Sequence, residues 1–174
     1  RSGDGWVSMA YAIARSNDTY FYDLANKLGI DRLHDYMTRF GLGTRVSHDM
    51  YEESAGLMPS RAWKREARRQ PWYPGETLIT GIGQGYMLTT PLQLAQSVAL
   101  MANRGVWRRP RLLMHAEGVP PLVEDTPADI ELKNPDDWDF IVDALQDVMH
   151  APHGTSRSAA VDAPYRMAGK TGTA

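Results

Sequence analysis

The last ten residues of the sequence read Tyr165-Arg166-Met167-Ala168-Gly169-Lys170-Thr171-Gly172-Thr173-Ala174. Tyr165, Met167 and Gly169 alternate with Arg166, Ala168 and Lys170, the two-residue period of a β-strand. A lysine ammonium, two threonine hydroxyls and a glycine that lets a ligand approach the backbone then follow in succession. Such groups suit a site for a carboxylate and an extended peptide. An ordinary edge strand running into a turn would read the same way. A single strand leaves its backbone groups unpaired, so this stretch needs neighbours that the rest of the sequence barely offers.

Upstream of it the pattern is helical. A helix is predicted from Pro135 or Asp136 to about His150, with Trp138, Ile141, Val142, Leu145, Val148 and Met149 on one face. Pro152-His153-Gly154-Thr155 breaks it before the strand. Thr90-Pro91 opens another helix, with proline at its first position and Gly105 past its end. That helix is apolar over much of its circumference and is predicted to be buried. Leu112 to Pro135 is a proline-rich, acidic surface excursion, and Gly75 to Gly85 a short buried element running into a loop. Ser60 is placed to cap a basic helix from Arg61 to Arg69, ended by Pro71 and Pro74. Leu42 to Pro59 has no period and reads as loop. The first quarter is helix, polar break, helix, helix: Trp6 to Arg15, then Ser16-Asn17-Asp18-Thr19, then Tyr20 to Leu28 and Asp31 to Phe40, stopped by Gly29 and Gly41. The total is about six helices and one or two strands, with no internal repeat.

Composition narrows the classes. With 174 residues, 43% of them hydrophobic and 23% charged, the chain is of ordinary globular make-up rather than a disordered segment. A net charge of −2 gives no overall field for DNA or an anionic membrane. No apolar run reaches the roughly 18 residues a membrane span requires, and Arg1-Ser2-Gly3-Asp4-Gly5 is no signal peptide. The absence of cysteine excludes disulfides and thiol catalysis. Charge is nonetheless uneven. Arg61, Lys64, Arg65, Arg68 and Arg69 form one basic group and Arg104, Arg108, Arg109 and Arg111 another, while Glu117 to Asp147 is acidic with Lys133 its single cation. These are either solvated faces or a docking surface for an anionic partner. Nucleic acid is not expected, because the basic groups lack stacking aromatics and RNP-like patterns.

Two further patterns bear on chemistry. Ser16-Asn17-Asp18 lies at a helix–helix junction, where a hydroxyl can relay a proton; Ser16 or Asp18 could equally cap the following helix. Gly81-Ile82-Gly83-Gln84-Gly85 suggests a dinucleotide-binding loop, but Tyr86 stands where its third glycine belongs and the stretch near position 105 is basic rather than acidic. A dinucleotide site is therefore excluded.

In this order and spacing the patterns resemble the penicillin-binding transpeptidases and serine β-lactamases. Ser16-x-Asp18 stands where that family has Ser-x-Asn or Ser-x-Asp, and Lys170-Thr171-Gly172 is its Lys-Thr-Gly. The Gly81–Gln84 loop and the Thr90-Pro91 helix start resemble the segment between those motifs in peptidoglycan synthases, rather than β-lactamases. Asp18, Tyr20-Phe21-Tyr22 with Ala25, Gly29-Ile30-Asp31-Arg32-Leu33, Trp63-Lys64 and Pro71-Trp72-Tyr73 narrow the likeness to class B enzymes of the penicillin-binding protein 2, or elongation, type. It runs over essentially the whole sequence.

The resemblance implies an α/β (α+β) fold, with these residues mostly helical and the Lys-Thr-Gly strand at their C-terminal end. It implies a peptidoglycan D,D-transpeptidase that cross-links stem peptides ending in D-Ala-D-Ala through a serine acyl-enzyme, and that β-lactams acylate. Ser16 would relay a proton. Lys170 would hold Ser16 and stabilise negative charge. Thr171 and Thr173 would bind the substrate carboxylate beside Gly172, with the Thr173 N–H in the oxyanion hole. Asp18, an acceptor when ionised, would pair with the family's other lysine and accept from a substrate N–H. That lysine and the nucleophile belong to a Ser-x-x-Lys motif. Here Leu24, Arg61, Ile130 and Met167 stand three residues before the lysines, so none is present. The expectation is a portion of one transpeptidase domain, lacking the nucleophile segment and further sheet strands, and inactive alone. The resemblance also implies a glycosyltransferase and elongation-complex scaffold proteins as partners. It implies a location at the periplasmic face of the inner membrane, on an N-terminal anchor outside these residues. A non-catalytic interaction or β-lactam-sensing module is the competing reading. No cofactor is expected. His34, His48, His115, His150 and His153 have no ligand spacing, so no metal is expected either.

Overall fold

The computed structural model describes residues 3–115, 117–118 and 125–172. Eight helices run through them: α1 (Met9–Arg15), α2 (Asp18–Leu28), α3 (Ile30–Thr38), α4 (Arg61–Arg68), α5 (Pro74–Thr80), α6 (Pro91–Ala102), α7 (Asp137–His150) and α8 (Arg157–Ala160). The chain divides into two compact units, one of residues 1–24 with 132–174 and one of residues 25–131.

In the first unit α1 and α8 pack on α7. Ile13, Ala144, Val148, Met149 and Ala160 form its core, flanked by Met9, Phe21, Ile141, Leu145 and Met167. The predicted face of α7 is thus the one that packs. Gly154 is required in the turn after it, since a Cβ there would lie 2.3 Å from the Asp147 carbonyl oxygen and 2.5 Å from that of Val148. The strand expected at 165–170 forms no ladder among the described residues. Its backbone bonds to α7 instead, Gly169 N–H donating to the Leu145 carbonyl at 3.1 Å and Met167 N–H to His150 Nε2 at 3.0 Å. Alternation makes a segment competent for a ladder, but a ladder needs a second strand, and here helix groups take the donors.

The second unit is held by buried polar groups as much as by apolar ones. Ile30, Leu42, Val46, Met58, Leu100, Trp107 and Ile130 are buried beside Lys64, Gln93 and Gln96. Within it α6 departs from expectation. The helix starts where Thr90-Pro91 places it, but Gln93 and Gln96 face inward while Leu94 and Val98 are 50% and 58% exposed. The fully buried Gln93 amide explains the rotation. Its Nε2 donates to the Thr44 and Ala55 carbonyls at 2.6 and 2.7 Å, and its Oε1 accepts from Thr90 N–H at 3.0 Å. Gly56 lies against this amide with φ +58°, where a Cβ would meet the Leu88 carbonyl oxygen at 2.4 Å and Gln93 Oε1 at 2.8 Å. Gly75–Gly85 holds α5, and Leu57 and Leu88 make an isolated antiparallel bridge.

Ser60 caps α4 as predicted, its Oγ accepting from Trp63 N–H at 3.1 Å. The arginines of this helix are exposed, but Lys64 is fully buried. It pairs with Glu76 of α5, and its ammonium lies 4.4 Å from the Tyr73 ring centroid, 5.6 Å from Tyr86 and 5.8 Å from Trp72. A basic helix expected to be a solvated face or a docking surface therefore carries one cation inside. The aromatic faces and one carboxylate replace its water.

Candidate active site

Ser16 ends α1 in the left-handed region, φ 56° and ψ 51°. Holding a residue other than glycine there costs about 1–2 kcal/mol. The turn is fixed by Ser16 N–H to the Ile13 carbonyl at 3.2 Å and Asn17 N–H to the Ala12 carbonyl at 2.9 Å. The next helix begins at once, capped by Asn17, whose Oδ1 accepts from Tyr20 N–H at 3.0 Å. Neither Ser16 nor Asp18 performs that capping. Asp18 occupies the first turn of α2, and the Ser16 hydroxyl is left for another partner.

That partner is Lys170. Its Nζ donates to Ser16 Oγ at 2.5 Å, across 154 positions of sequence. It also donates to Thr171 Oγ1 at 3.0 Å and to the Thr171 carbonyl at 3.2 Å. Lys170 is exposed over its length, but three protein acceptors have replaced water at its tip. Burial of that tip pushes the ammonium below its ordinary 10.5, and the nearby Asp18 carboxylate opposes the shift only in part. A lysine held this way binds anions and releases a proton more readily than an exposed one.

Four of the sequence-derived candidates, Ser16, Asp18, Lys170 and Thr171, thus meet in one place. Gly172 follows Thr171 as an exposed residue, and Thr173 lies outside the described residues. One residue outside the motifs borders the group. Thr155 Oγ1 lies 3.4 Å from Thr171 Oγ1. Tyr11 and His153 stack with ring centroids 4.8 Å apart. His150, which has no metal-ligand spacing in the sequence, accepts the Met167 N–H, a role with no sequence signal because backbone donors leave none. Among the described residues no cluster of three metal-ligating side chains occurs.

The whole sequence, residues 1–174, matches the family profile described as penicillin binding protein transpeptidase domain. The peptidoglycan D,D-transpeptidase MrdA of Haemophilus influenzae is 38% identical over 177 residues, covering 100% of this chain and 27% of that protein. MrdA of Acinetobacter baumannii is 40% identical over 178 residues, covering 100% of this chain and 26% of its own length. The chain thus spans about a quarter of these curated relatives. The crystal structure of Pseudomonas aeruginosa PBP2 in complex with WCK 5153 matches with a TM-score of 0.95 and 59% identity, over 100% of this chain and 40% of that one. The expected fold is the fold of these neighbours. With the profile matched from first residue to last and the two motifs meeting at Ser16 and Lys170, the chain belongs to the penicillin-binding protein transpeptidase domain family.

Proposed function

We propose that the intact protein carrying this chain is a peptidoglycan D,D-transpeptidase. The observation that carries the reading is the Lys170–Ser16 hydrogen bond of 2.5 Å. It joins a hydroxyl on a strained helix junction to an ammonium with a lowered pKa, which suits proton relay during acyl transfer. A serine from a Ser-x-x-Lys segment outside these residues attacks the D-Ala-D-Ala carbonyl of a stem peptide. Ser16 carries the released proton to the departing D-Ala amine, and an ester remains on the attacking serine. An amine of a second stem peptide then takes the acyl group and frees the serine. Thr171 and Thr173 hold the substrate carboxylate beside Gly172, and the Thr173 N–H stabilises the oxyanion. β-Lactams, acting as substrate mimics, acylate the same serine and stop at the ester. No cofactor or metal enters these steps.

The partners and location follow the same reading. The complex between Helicobacter pylori PBP2 and MreC, TM-score 0.85 at 28% identity, supports an elongation-complex scaffold partner. The structure of a peptidoglycan synthase complex that coordinates polymerization and crosslinking, TM-score 0.81 at 35% identity, supports a glycosyltransferase partner. The site then works at the periplasmic face of the inner membrane, and the anchor is supplied by residues beyond these. No helix of the described residues is long and apolar enough to cross a membrane. D-Ala release from a synthetic stem pentapeptide tests the activity in the intact protein. Stoichiometric release on acylation, with transfer to an added amine, is expected. Binding of the peptide without release would favour a non-catalytic module, and rapid β-lactam hydrolysis would favour a β-lactamase.

A further inference from the structure

The turn between α7 and the Lys170 segment is fastened to the helix that ends at Ser16. Thr155 N–H donates to the Ala14 carbonyl of α1 at 3.3 Å, and Ser156 N–H to the Val148 carbonyl of α7 at 3.0 Å. The His153 ring stacks on Tyr11 of α1, with 4.8 Å between centroids. Gly154, between them, has no room for a side chain. The Thr155 backbone is thus held in place beside the site, and its hydroxyl oxygen lies 3.4 Å from that of Thr171.

The donors and acceptors around Thr171 decide what the Thr155 hydroxyl does. An ammonium has three N–H groups and no acceptor. Those of Lys170 are matched by three acceptors, Ser16 Oγ at 2.5 Å, Thr171 Oγ1 at 3.0 Å and the Thr171 carbonyl at 3.2 Å. Lys170 therefore has no N–H to spare, and the hydroxyl beside it is the donor within reach of an anion. Thr171 Oγ1 spends one lone pair on Lys170, which leaves its own O–H and a second lone pair. If Thr171 donated to Thr155, the site would lose that donor. If Thr155 donates to Thr171, the Thr171 O–H is free to point at a ligand. A bound carboxylate selects the second arrangement. It attracts the Thr171 hydrogen, which the ammonium already polarises, and each hydrogen bond in such a chain strengthens the next.

We propose, resting on the transpeptidase reading above, that Thr155 is a positioning residue for substrate recognition. Its hydroxyl donates to Thr171 Oγ1 and so commits the Thr171 O–H to the carboxylate of a stem peptide or a β-lactam. The 3.4 Å separation is long for a hydroxyl pair, and contacts of this kind tighten once substrate is in place.

Acylation of the intact protein by benzylpenicillin and by its methyl ester tests this, because the ester keeps the reacting lactam and lacks the anion. The readout is the ratio of the two second-order acylation rates. Thr155→Val keeps the side-chain shape and removes the hydroxyl. Its ratio should fall about fivefold, the loss of one hydrogen bond, with the ester rate unchanged, and Thr155→Ser should restore it. A role confined to folding would lower both rates alike. Thr155→Ala, read in the same way, decides the matter if the valine variant does not fold. An unchanged ratio in a folded variant, or no restoration by Thr155→Ser, would overturn the role of Thr155 and leave the transpeptidase reading standing. No acylation of the unaltered protein by benzylpenicillin would overturn that reading, and the role of Thr155 with it.

Discussion

Ser16 separates two effects that usually travel together, backbone strain and side-chain chemistry. Ser16→Gly removes the hydroxyl and relieves the φ 56° strain, so the melting temperature should rise by a few degrees, corresponding to about 1 kcal/mol. Acylation of the intact protein by β-lactams should nevertheless fall. Ser16→Ala should fall equally in acylation with no gain in melting temperature. Lys170 supplies a pH test. Its folded pKa lies below 10.5, so between the folded value and 10.5 the unfolded chain binds more protons and this group's contribution to stability rises with pH. An alkaline limb of the acylation rate governed by this lysine should therefore fall below pH 10.5. The Asp18 charge raises the Lys170 pKa, so Asp18→Asn should move that limb to lower pH. An unmoved limb in the pH–rate profile would remove Asp18 from this role. At this scale the site was legible in sequence because its motifs are functional groups in fixed order. The Asn17 cap was not: Ser16, Asn17 and Asp18 are all good caps, and only backbone geometry chooses among them.

Helix α4 and helix α6 show where element-level reading succeeds and where it stops. Their starts were legible because Ser60 and Thr90 with Pro91 act on adjacent backbone. Their inward faces were not, because the partners lie elsewhere: Gln93 serves carbonyls at Thr44 and Ala55, and Lys64 finds its carboxylate on α5. Hydrophobic pattern alone favours Leu94 and Val98 for burial. Four satisfied hydrogen-bonding positions on one glutamine outweigh it. The Lys64–Glu76 pair has side chains 1% and 20% exposed, so removing one partner strands the other. Lys64→Met should destabilise the domain by roughly 2–3 kcal/mol in urea unfolding, and Lys64→Met with Glu76→Gln by less. Burial pushes the Glu76 carboxyl up, but the hydrogen bond from Lys64, the Tyr73 N–H and the Lys64 charge together hold it below its ordinary 4.5. Its stabilisation is therefore present above pH 4.5 and lost as pH falls through the lower folded value. Glu76→Gln should flatten that part of the stability–pH curve, as acid titration of the melting temperature would reveal.

For the whole molecule, the mostly helical character and six of the eight helices followed from caps, prolines and the period of 3.6, while the short α5 and α8 were not anticipated. Among the described residues the strand at 165–170 forms no ladder, because pairing is a property of two segments and periodicity describes one. The two compact units had no composition boundary to mark them, since residues 1–24 and 132–174 meet only in space. What unites the sequence and the structure is one contact, Lys170 to Ser16, and the central claim is that it relays the proton of an acyl transfer. Pre-steady-state labelling with a fluorescent penicillin tests it most directly. The intact protein should be acylated stoichiometrically, its Ser16→Ala variant about 100-fold or more slowly with unchanged folding, and the isolated 174-residue chain not at all. Labelling of Ser16→Ala at the unaltered rate, or stoichiometric labelling of the isolated chain, would contradict the account.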